Sequence, residues 1–132
     1  MRKTARRQGL NTDSSFRFER GVDPNDTLYA LKRAALLVKE LAGGEICGEV
    51  VDIYPKPVAQ VPVTLTYEKI DTLIGKHIPA DTVKSILDSL EIKIVSETEK
   101  ELSLQVPTYR VDVQRDVDVI EDLLRIYGYN NV

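Results

Sequence analysis

Three prolines within residues 55–62, Pro55, Pro57 and Pro62, constrain this chain more than any other feature. Each fixes its own φ and lacks an amide hydrogen, so neither a helix nor a centrally paired strand runs through them. The stretch GEVVDIYPKPVAQVP reads as a short strand followed by a linker over residues 56–60. The chain therefore divides into residues 1–57 and 58–132, and the two parts read differently.

In the first part, residues 22–44 predict one long helix. Asp23 is a good N-cap, Pro24 suits the first helical position, Asp26 suits the positive end of the dipole, and Gly43 with Gly44 stops the helix. Leu28, Leu31, Ala35, Val38 and Ala42 form an apolar stripe, widened by Ala34, Leu37 and Leu41. A face this broad needs a sheet or a domain to lie against. The preceding 21 residues have room for a strand or two, which is too little, so this part reads as the C-terminal portion of a larger domain.

The second part predicts a complete module. Residues 61–66 have strand character, residues 67–75 form a short helix ending at Gly75, and Ala80 to Leu90 place Val83, Ile86, Leu87 and Leu90 at helical spacing. Two β-rich runs, 92–95 and 101–106, flank the polar residues 96–100 and read as a hairpin before a final acidic helix. Strand, helix, turn, helix, hairpin, helix is the order of a winged helix-turn-helix, which raises a nucleic-acid hypothesis. Charge argues against independent DNA binding. Residues 60–132 hold eight basic and thirteen acidic side chains, and the second helix offers Lys84 against Asp81, Asp88 and Glu91.

Other functional classes are excluded on simple grounds. No apolar run approaches membrane-spanning length, and no cleavable leader follows the basic start, so no membrane role is expected. Cys47 is the only cysteine, which rules out an internal disulfide and points to a reducing compartment; with His77, the only histidine, it is too few ligands for structural zinc. No phosphate loop, dinucleotide fingerprint or nucleophile elbow occurs. The net charge of −3 hides a basic opening, in which Arg2, Lys3, Arg6, Arg7, Arg17 and Arg20 face only Asp13 and Glu19. Such an opening suits RNA or an acidic partner, or a segment packed against chain outside it.

The carboxylates near the C-terminus admit two readings. Asp118, Glu121 and Asp122 fall at i, i+3 and i+4 on the last helix, and Asp112 enters six residues before Asp118. Together they could serve a hard, oxygen-preferring cation. Equally, opposite an apolar face of Val117, Ile120, Leu124 and Tyr127, they form an ordinary solvated side, with Arg125 within reach of Glu121 or Asp122.

Three separated motifs now carry a specific resemblance. GLNTDSSFRFERGVDP (9–24), the LAGG helix end (41–44) and PTYRVDVQRDVDVIEDLLRIYGYNNV (107–132) together resemble the bacterial phenylalanyl-tRNA synthetase beta subunit over essentially the whole chain. The resemblance implies an α+β chain. Residues 1–57 correspond to the C-terminal portion of a large central α/β domain that edits mischarged tRNA, and residues 58–132 to the small winged-helix-like domain of DNA-binding type that follows. It further implies a cytoplasmic ligase of two alpha and two beta chains that attaches phenylalanine to tRNA using ATP, with the charging chemistry on alpha. A fragment like this one is then expected to be inactive by itself. Magnesium is implied near the alpha subunit, with Asp112, Asp118, Glu121 and Asp122 at the ligand positions; Asp122 departs from the family's usual Glu. Thr12 matches a threonine at the edge of the editing pocket, and Ser14 stands where the family carries a small alanine.

Overall fold

The computed structural model describes residues 1–132, which form two compact units, Met1–Ala59 and Gln60–Val132. In the first, residues 1–20 hold two short helices in place of the strand or two for which they have room. Helix α1 (Arg2–Gln8) ends at Gly9, which takes the left-handed conformation, and α2 (Asp13–Arg20) begins at Thr12. The local cause is reciprocal capping. Thr12 Oγ1 accepts the Ser15 amide hydrogen at 3.1 Å, while Ser15 Oγ accepts that of Thr12 at 3.1 Å.

Helix α3 spans Thr27–Ala42, shorter at its start than the capping signals predict. Asp23 accepts the Asn25 amide hydrogen at 2.9 Å and so initiates a 3-10 turn over Pro24–Asp26, which precedes the α-helix. The apolar stripe of α3 is only partly covered: Leu28 and Ala35 are half-buried, but Leu31, Val38 and Leu41 are each more than half exposed. Ala5 is the one buried apolar residue of this unit. Residues 45–60 contain no strand, contrary to the short one expected there. They are held by a Val58 amide bond to Tyr54 Oη (2.9 Å) and by an Asn25 side-chain bond to the Val58 carbonyl (3.2 Å).

The second unit follows the predicted order: β1 (Val61–Thr66), α4 (Tyr67–Ile74), α5 (Ala80–Ser89), β2 (Lys93–Glu97), β3 (Glu101–Val106) and α6 (Asp116–Tyr127). The strands form one antiparallel sheet in the order β1-β3-β2. Period-two alternation sends Val63 and Leu65 of β1, and Leu102, Leu104 and Val106 of β3, to one face. Helices α4, α5 and α6 cover that face with Ile70, Ile74, Val83, Ile86, Leu87, Val119, Ile120 and Leu123. Ile78, Ile92 and Val113 complete a core of sixteen apolar residues, which at about 1.5–3 kcal/mol for each fully buried side chain makes the second unit much the better consolidated of the two. Both outer strands are blunted. Pro62 interrupts the donor row of β1, and a register shift between Ile94 and Ser96 leaves Val95 of β2 exposed and without a paired residue on β3. No helix is long and apolar enough to cross a membrane.

Candidate functional site

The acidic segment is built on a loop and a helix. After β3 the chain makes two tight turns, Arg110 N–H to the Pro107 carbonyl and Val113 N–H to the Arg110 carbonyl (both 3.1 Å), with Val113 buried as the anchor. Helix α6 then begins at Asp116, whose carboxylate pairs with Lys69 of α4; that ion pair holds the Asp116 carboxyl below its ordinary pKa. The face of α6 turned to the core is centred on Val119, Ile120 and Leu123, while Val117, Leu124 and Tyr127 are only half-buried. This is a rotation from the face expected, and it carries Asp122 into the buried side.

Each candidate carboxylate on α6 meets an arginine. Asp118 accepts from Arg115 Nη2 at 3.0 Å and from the Gln114 and Arg115 amides at 3.1 and 2.9 Å, closing the loop onto the helix start. The Arg115 hydrogen bond, followed by those amides, lowers the Asp118 pKa against the opposing effect of burial. Glu121 is exposed and accepts from Arg125 Nη2 at 2.7 Å. Asp122, only 9% exposed as a residue, accepts from Arg110 Nη2 at 2.6 Å and has Arg125 Nη1 at 3.8 Å. Asp112 lies exposed on the loop and takes no part in these ion pairs. No three of the acidic, histidine or cysteine side chains gather within reach of one metal ion. The arginine partners escaped the sequence reading except for Arg125, although Arg115, three residues before Asp118, is a local signal that could have shown one of them.

The other candidate residues lie in the first unit. Thr12 lines an open cavity of about 460 Å³ together with Ala5, Asn11, Asp13, Ser15 and Phe16. Ser14 is exposed and not part of that lining. The hydroxyl of Thr12 is engaged in capping α2, so in this chain its evident job is to set the helix start.

Two further groups are structural. His77 Nδ1 stands 2.6 Å from Asp71 Oδ2, and the other Asp71 oxygen accepts the Ile78 amide hydrogen at 3.2 Å, which clamps the turn between α4 and α5. Lys84, the cation of the second helix of the helix-turn-helix, is bound to Glu97 at 3.1 Å and to Asp81 at 3.4 Å. Two carboxylates therefore neutralise the one lysine that α5 could offer to a phosphate, and a freestanding nucleic-acid reader is disfavoured.

The tRNA synthetase B5 domain model matches residues 63–129, and the B3/4 domain model matches residues 1–43. The phenylalanine–tRNA ligase beta subunit of Bacteroides fragilis strain YCH46 is 67% identical over 132 residues, covering 100% of this chain and 16% of that protein. The beta subunits of Porphyromonas gingivalis strain W83 and Syntrophus aciditrophicus strain SB are 54% and 42% identical, over 100% of this chain and 16% and 17% of theirs. The chain thus spans about a sixth of the length of these curated relatives. It belongs to the tRNA synthetase B5 domain family, and along its whole length it is similar to one segment of the phenylalanine–tRNA ligase beta subunit.

Proposed function

We propose that this chain is a non-catalytic structural and assembly segment of a phenylalanine–tRNA ligase beta subunit. The observation that carries the proposal is the uninterrupted similarity to beta subunits across all 132 residues, with the two domain models matched in succession. Residues 1–57 are then the C-terminal portion of the central editing-type domain, and 58–132 the small winged-helix-like domain. The parent enzyme is a cytoplasmic complex of two alpha and two beta chains, and it joins phenylalanine to its tRNA at the expense of ATP. The exposed part of the α3 stripe, at Leu31, Val38 and Leu41, supports a segment whose packing partner lies elsewhere in such a subunit.

Thr12 and Ser14 belong to this proposal as the edge of an editing pocket, with the cavity beside Thr12 as its support. Magnesium belongs to it at the level of the assembled enzyme, with Asp112, Asp118, Glu121 and Asp122 assigned as a group. Their donor chemistry suits the assignment, since magnesium prefers carboxylate and water oxygens. Their arrangement in this chain does not fit one ion, because three of the four are held by arginines and no three converge. No step of the proposed function runs through the metal.

A chimera tests the proposal. Exchanging the matching segment of the Bacteroides fragilis beta subunit for this chain should leave phenylalanine transfer to tRNA within a few-fold of the parent, and the purified chain alone should neither activate phenylalanine nor deacylate tyrosyl-tRNA. An assembled but inactive chimera, or turnover by the chain alone, contradicts it.

A further inference from the structure

We infer that Asp122 serves in this chain as the fixed counter-ion of Arg110, tying the loop before α6 to the buried face of that helix, and is not a magnesium ligand. The first half stands on geometry alone; the second rests on the magnesium reading above.

Exposure separates the three ion pairs. The side chains of Arg115 and Arg125 are 73% and 61% exposed, whereas Arg110 and Asp122 are 19% and 12% exposed. Exposed pairs of the first kind contribute little and exchange partners readily. The Arg110–Asp122 pair is different because each charge has given up most of its water, and removing one leaves the other uncompensated in a low-dielectric setting.

Arg110 is already stretched across several jobs. Its Nη1 donates to the Leu90 carbonyl at the end of α5 (3.3 Å), its Nη2 to Asp122 (2.6 Å), and its Nε is buried with no hydrogen-bond partner. A metal that drew Asp122 away would leave a second donor of the same guanidinium unsatisfied. Chain length works the same way. An aspartate carboxylate is carried on a single methylene, so the Asp122 oxygens stay close to α6, where Arg110 Nη2 holds one of them at 2.6 Å, while Glu121 lies exposed beside Arg125. Magnesium demands near-ideal octahedral placement and tolerates such a retracted ligand poorly.

The test uses the 132-residue chain and five proteins: the parent, Asp122→Asn, Arg110→Gln, the double variant, and Asp118→Asn. Unfolding of the second unit is followed with and without excess magnesium chloride. Each single change at 110 or 122 should cut the folded-to-unfolded ratio by about tenfold or more, and the double variant should be no worse than the poorer single one. Any magnesium-dependent rise in the unfolding midpoint should persist in Asp122→Asn and fall in Asp118→Asn. Additive losses in the double variant, or a magnesium response abolished by Asp122→Asn, overturn the inference. If the parent shows no magnesium response, the metal assignment to the isolated chain fails, and the additivity of the two substitutions still decides the Arg110–Asp122 pairing.

Discussion

Leu65 of β1 stands directly opposite Leu102 of β3, and neither residue retains any exposed surface. The pair closes one end of the β1–β3 ladder against the core. Leu102→Ala should therefore cost about 2–5 kcal/mol in chemical denaturation of the second unit, the range for cavities left in packed cores. Leu31→Ala on α3 should change the stability of the same chain by only about 0.5 kcal/mol or less, since that side chain is 53% exposed.

Gly75 ends α4 with φ +76, and a Cβ placed there would meet nothing within 4 Å. Backbone strain is thus the whole cost of a side chain at this turn. Gly75→Ala should destabilise by about 1 kcal/mol, and Gly75→Asn by less because asparagine accepts the left-handed region more readily. Thermal unfolding of the two variants side by side measures the difference.

Acid stability should depend on Asp118. Its folded-state pKa lies below the ordinary 3.8, first because of the Arg115 hydrogen bond. A carboxyl shifted this way contributes its full stabilisation above its unfolded value and loses it as pH falls through the lower folded value. Unfolding midpoints measured from neutral pH into the acid range should fall less steeply below about pH 4 in Asp118→Asn than in the parent. Some slope should remain, because Asp116 is shifted in the same direction by Lys69.

Thr12→Ala should fray α2 without touching the second unit. The substitution removes one half of the reciprocal cap with Ser15 and is expected to cost that helix about 1 kcal/mol. Amide hydrogen exchange at Ser15 and Phe16 should accelerate, while exchange in the sheet stays as it was. Faster exchange throughout the second unit would contradict the local role.

The second unit was legible because its signals are local: alternation in 61–66 and 101–106, helical spacing at Val83, Ile86 and Leu87, and a glycine stop at 75. The first was harder. Helices α1 and α2 are short and hold few apolar residues, and their starts and stops depend on Thr12, Ser15 and Gly9; the Thr12–Ser15 spacing of a reciprocal cap is the sequence signal that marks α2. Helix α3 lost its first turn because Asp23 bonds an amide two residues on, an alternative that residue type cannot distinguish from a helical cap. At the acidic segment, spacing placed Asp118, Glu121 and Asp122 on adjoining positions but could not supply the phase of α6. That phase is set by contact with α4 and α5 and by Arg110, whose approach depends on how the preceding loop turns.

The blunted margins of the three-stranded sheet bear on how a chain like this keeps company with others. Pro62 on one side and the register shift at Val95 on the other deny an incoming strand the continuous row of donors and acceptors that cross-chain zippering requires. Higher-order association of the second unit is thereby steered away from strand addition, toward contacts formed by side chains of its helices and loops, where charge and shape discriminate among neighbours.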